Sequence, residues 1–132
     1  MVMSRNGTRA VISVVGLAAV GGMTLISGFS VLNLVFGMCG GDGGYPYVPH
    51  ESTAGRFCDS PHLDVYLLAQ FAVPILLVAG STVWAVVRVR VVHVAVGIVA
   101  AVATLVLAAI VLGSLSAECD YPVQESEECD TY

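Results

Sequence analysis

Long apolar runs alternate with short polar breaks along this chain. Positions 10–38, 63–87 and 91–116 are almost wholly apolar, while positions 1–9, 39–62, 88–90 and 117–132 carry all the charges but Asp64. A helix rises about 1.5 Å per residue and a bilayer core is about 30 Å thick. Each run is therefore long enough to cross as a helix. The stretch from Leu63 to Ser116 is broken only by Arg88-Val89-Arg90. A single helix through it would hold two guanidinium groups at membrane depth, where each costs at least about 2.5–3.5 kcal/mol. A hairpin with both arginines in water is the cheaper arrangement. The pattern predicts an all-α membrane protein with three transmembrane helices, joined by an outer loop over 39–62 and a turn over 88–90.

Details inside the runs refine this picture. The first run, from Ala10 to Met38, is about twice as long as the apolar core of a signal peptide and carries no Ala-x-Ala site near its middle, which predicts an uncleaved helix. The second has a start signal: Ser60 as cap, Pro61 in the first helical position and Asp64 in the first turn. Pro74 removes a backbone donor to the Gln70 carbonyl, predicting a kink or local widening. Gln70 and Asn33 are the intramembrane polar candidates, expected to hydrogen-bond across helices, or for Asn33 to interfacial water. Trp84 fits an interfacial belt, and His93 is expected at the wet boundary. Val86–Val91 alternates like a strand, but its flanks require helix ends and a tight turn whose pivot, without Gly or Pro, the sequence leaves open. Small residues four apart, Ala18 with Gly22 and Thr24 with Gly28, then Gly97 with Ala101 and Ala109 with Gly113, predict close packing between the first and third helices.

Composition agrees with this class. Of 132 residues, 57% are hydrophobic and 11% charged, against the roughly 25% charged of soluble domains; mean hydropathy is +0.87. The net charge is −5, with every basic residue an arginine. Sorting by side is more informative than the total. Arg5, Arg9, Arg88 and Arg90 fall on one side, and all ten acids fall on the other with Arg56. Positive residues stay cytoplasmic, which predicts N-in/C-out topology in the plasma membrane, with residues 117–132 forming an acidic outer tail.

All four cysteines, Cys39, Cys58, Cys119 and Cys129, fall on that outer side, where disulfides persist. Pairing Cys39 with Cys58 and Cys119 with Cys129 closes two local loops; crossed pairings stay open, and a zinc site is the competing use of the same thiols. The glycines at 40, 41, 43 and 44 are not expected to form a phosphate cradle, since no Walker lysine or helix start follows them in the pattern. Asp42, His50, Glu51, Asp59, His62 and Asp64 are the residues from which a cation site would be built, without EF-hand spacing. No nucleophile–base pattern and no basic aromatic patch is present, so neither an enzyme, a cofactor nor a nucleic-acid partner is expected.

The segment from Cys39-Gly-Gly-Asp-Gly-Gly-Tyr-Pro-Tyr to Gly-Arg-Phe-Cys58 resembles a loop in small multi-pass membrane proteins of actinobacteria. That resemblance covers the loop and the helix pattern and implies a plasma-membrane location without an assigned activity. The function expected is that of a structural or interaction subunit in the lipid bilayer. Its partner is another membrane protein or a second copy, docked through Tyr45, Tyr47 and Phe57. The alternatives are an outer-face binding module for a cation or small ligand, and a channel or transporter subunit.

Overall fold

Three long helices account for most of the computed structural model, which describes residues 4–39 and 53–116. Helix α1 spans Arg5–Leu32 and continues as a wider π-helical segment, Asn33–Met38. A short α2 covers Thr53–Cys58, α3 Leu63–Arg88 and α4 Val92–Ser116. There is no strand among the described residues. Three spans are long and apolar enough to cross a membrane: Arg5–Gly37, Leu63–Arg88 and Val92–Ser114.

The termini of these helices follow local chemistry, not always as expected. α1 starts at Arg5, before the apolar run, because the Ser4 hydroxyl accepts from the Gly7 N–H and caps it. α3 starts at Leu63 as predicted, but Ser60 is not its cap. Ser60 Oγ accepts from the His62 N–H at 3.3 Å, so Ser60 and Pro61 form a turn that delivers the chain to the helix. Asp64 does lie in the first turn. α3 remains an unbroken helix through Pro74. The widening occurs instead at Asn33–Met38. There Asn33 Nδ2 donates back to the Phe29 carbonyl at 2.9 Å, competing with the helical ladder where the π segment begins. Asn33 is exposed and bonds within its own helix, which corrects the cross-helix expectation.

The α3–α4 turn pivots on Val89, whose φ of 54° and ψ of 44° lie in the left-handed region that a β-branched residue rarely enters. The Val89 and Arg90 N–H groups both donate to the Ala85 carbonyl, so the end of α3 is satisfied despite the strain.

α3 is the central helix. It packs along both α1 and α4, whereas α1 and α4 meet at only a few positions. This corrects the expected pairing of the first and third spans. Two thin layers make the core: Ile12, Ala85 and Val94 near the arginine end, and Met23, Val78 and Ala101 near mid-bundle. Glycines let the backbones approach at two seams. A Cβ on Gly16 would strike Thr82 of α3, and a Cβ on Gly97 would strike Ser81 of α3. By contrast, Cβ atoms on Gly21, Gly22 or Gly113 would meet nothing within 4 Å. The stripes are thus used only in part, and against α3. The outward faces carry Leu17, Leu25, Phe29, Leu68 and Leu107, all more than half exposed. In water this would be an aggregation surface; in lipid it is the required one.

Candidate functional site

Three places carry polar chemistry, at the two ends of the bundle and between α1 and α3. At the end where α1 finishes, Cys39 and Cys58 form a disulfide, with Cα atoms 5.4 Å apart, as one of the expected pairings required. Cys119 and Cys129 lie outside the described residues. The bridge fastens α2 to the end of α1, and α2 also contacts α4. α2 ends with the Asp59 N–H donating to the Gly55 carbonyl and the Ser60 N–H to the Phe57 carbonyl. Phe57 meets Tyr66 of α3 edge to face, ring centroids 5.1 Å apart and planes at 87°. A docking candidate is therefore half-buried in the chain's own packing. Tyr45 and Tyr47 lie outside the described residues. The short helix itself had no clear signal in the sequence, because six residues are too few to show a period.

Of the residues from which a cation site would be built, Asp59, His62 and Asp64 are described; Asp42, His50 and Glu51 are not. Among the described residues no group of three His, Cys, Asp or Glu side chains is placed to hold a metal ion.

Within the membrane-spanning part, Gln70 Nε2 donates to Ser30 Oγ across the α1–α3 seam at 2.7 Å. This is the helix-to-helix bridge expected of Gln70. The structure adds a second residue that the sequence does not single out. Ser27, one turn from Ser30, is wholly buried and its hydroxyl has no hydrogen-bond partner among the described residues. Gln70 Oε1, in a side chain 7% exposed, has none either. The antiparallel register set by Met23 with Val78 and Ser30 with Gln70 brings Ser27 level with Pro74. Pro74 has no N–H to give the Gln70 carbonyl. The node therefore offers neutral donors and acceptors and no titratable group, a chemistry that joins helices.

A test of the node follows from hydrogen-bond asymmetry. Removing one partner strands the other, whereas removing the polar group altogether need not. Ser30→Ala is expected to destabilise by about 1 kcal/mol. Gln70→Leu should cost less, and adding Ser30→Ala to it should change little. Denaturant titration of the four proteins in one detergent measures the cycle; equal, additive losses would mean that the bond carries no coupling.

At the opposite end stand Arg5, Arg9, Arg88 and Arg90, all exposed. The Arg88 guanidinium lies 5.1 Å from the centroid of the Trp84 ring, one turn back on α3. Trp84 is half exposed, and His93 enters α4 at the same level.

No protein-family model matches the chain, and neither a curated protein nor a solved structure matches it.

Proposed function

We propose that this protein is a non-enzymatic accessory subunit of the plasma membrane, N-terminus in the cytoplasm and C-terminus outside, that docks a partner through its outer face. The observation that carries this reading is an asymmetry between the two connections. α3 and α4 are joined by Val89–Val91 alone, the least that a hairpin needs. α1 and α3 are joined by everything from Cys39 to His62, including α2, a disulfide and an aromatic pair. A connection of that length held by a covalent clip exceeds what joining two spans requires, and loops on rigid scaffolds are where recognition residues concentrate. The partner is another membrane protein or a second copy. An added Cβ at Gly21 or Gly22 of α1 would meet no atom of the described residues within 4 Å, which leaves room for a helix alongside.

The orientation rests on the arginines and acids falling on opposite sides. A reporter active only in the cytoplasm should work when fused before Arg5 or inserted between Arg88 and Arg90, and should fail after Tyr132. Activity after Tyr132 would refute the N-in/C-out arrangement.

The docking role is tested by retention of partners in a gentle detergent pull-down at two salt concentrations. Buried aromatics dominate interface energies, and acids chiefly steer encounter. Tyr47→Ala should weaken retention by more than about 1 kcal/mol, and Glu127→Ala with Glu128→Ala should change it little at physiological salt. Loss of binding on removing Asp42, Glu51 or Asp59, with Tyr47→Ala silent, would instead identify a cation-binding module.

A further inference from the structure

The end of the bundle away from the disulfide has a chemistry that partner docking does not use. Arg5 and Arg9 stand on the first turns of α1, Arg88 is the last residue of α3, and Arg90 lies in the turn. Ile12 packs with Ala85, and Gly16 faces Thr82. The same antiparallel register brings Arg9 level with Arg88. No Asp or Glu occurs at positions 1–41 or 65–117, and Asp64, in the first turn of α3, stands at the far end of that helix from the four guanidinium groups. Burial of one such charge without a counter-ion would be costly, and all four are exposed. Arg5 stands about one turn beyond Arg9 on α1. Trp84, an interfacial residue, carries Arg88 against its ring at 5.1 Å. The N-termini of α1 and α4 open on the same end and add their positive dipole ends to it.

The surface next to this cluster is apolar and indented. Ala10, Val11, Val14 and Val15, all on α1, line a shallow, open groove of about 260 Å³ that begins one residue after Arg9. A cationic rim above an apolar groove matches one molecule in both its parts, a negatively charged headgroup and a hydrocarbon chain. Arginine binds phosphate through a planar fork of donors, and basic clusters at the ends of membrane helices attract anionic headgroups.

We propose that this end is a binding site for an anionic phospholipid, with Arg5, Arg9, Arg88 and Arg90 holding the headgroup phosphate and the groove beside Arg9 taking the start of an acyl chain. The site needs the three helices to span a bilayer but not a particular orientation, and it needs no protein partner. It can therefore stand or fall apart from the docking reading.

The experiment is lipid retention by native mass spectrometry of the full chain, offered phosphatidylglycerol or phosphatidylcholine in equal amounts. The wild type should retain phosphatidylglycerol preferentially. A variant with all four arginines changed to Gln should lose at least about tenfold of that preference. Where that variant fails to insert, Arg5→Gln with Arg9→Gln, and Arg88→Gln with Arg90→Gln, should each lower it severalfold. The variant with all four changed to Lys keeps the charge and should keep most of the preference. Equal retention of the two lipids, an undiminished preference in every Gln variant, or displacement of phosphatidylglycerol by inorganic phosphate at matched ionic strength would each overturn the proposal. The last result would identify a soluble-anion site.

Discussion

Gly97→Ala is expected to lower stability by about 1–3 kcal/mol, toward the upper end. The new methyl would meet Ser81 Oγ and Cβ and would lie 3.1 Å from the Leu77 carbonyl oxygen. The backbone oxygen has no rotamer by which to withdraw. Nor does Ser81 move freely, because its hydroxyl donates to the Val78 carbonyl at 2.9 Å. Gly16→Ala meets the same difficulty on the other flank of α3, where Thr82 donates to that same carbonyl at 2.7 Å. Helices in lipid associate by close packing and not by escape from water, so lost contact at these seams has little to offset it. Gly80→Ala is the control, since a Cβ there meets no atom within 4 Å, and it should stay within about 0.5 kcal/mol of the parent. Ser81→Gly should recover much of the Gly97→Ala loss by reopening the space. Unfolding in detergent followed by Trp84 fluorescence or circular dichroism measures all four. Equal effects of Gly97→Ala and Gly80→Ala would show that the α3–α4 seam is not where the bundle is held.

Cys39→Ser should cost about 3 kcal/mol, the chain-entropy value for a loop closed over a sequence separation of 19. The loss should be local. Freed from α1, α2 should release Phe57 from Tyr66, while the layer of Ile12, Ala85 and Val94 at the far end should hold. Amide exchange is thus expected to rise at residues 53–60 and to change little around 85–94. Peptide mapping of the parent under non-reducing conditions should link Cys39 to Cys58. Finding both thiols free, or unfolding unchanged by reductant, would remove the covalent clip from the account.

The three spans were legible because bilayer thickness forces a length on apolar runs, and because Arg88 and Arg90 can be kept in water only at a turn. The Cys39–Cys58 bridge was legible as one pairing among several. Partner choice among helices was not. Gly97 with Ala101 and Ala109 with Gly113 have identical spacing, yet a Cβ on Gly97 would strike α3 whereas one on Gly113 would meet no atom of the described residues within 4 Å. α4 is apolar on every side, so no polar face announces which way it turns. Gln70 stood out because an amide in an apolar helix is conspicuous, whereas Ser27 did not, since a serine among glycines and alanines looks like another small residue. Ser60 satisfied the pattern of a helix cap equally well as the pattern of the turn it makes, and only the three-dimensional path separates them. For Asn33 a neighbouring helix and interfacial water were the alternatives, because local back-bonding to Phe29 leaves no mark in a one-dimensional pattern.

The strained pivot at Val89 has a consequence for the rotational phase of α4. A helix without a polar face has no preference of its own about its axis, so its phase must be set from outside. Only Val89–Val91 separate α3 from α4. One residue added to that turn would advance α4 by about 100°, carrying Val94, Gly97 and Ala101 off the seam and bringing bulkier side chains against Ser81. The length of the turn, more than the composition of the helix it introduces, decides which face of α4 meets the protein and which meets lipid.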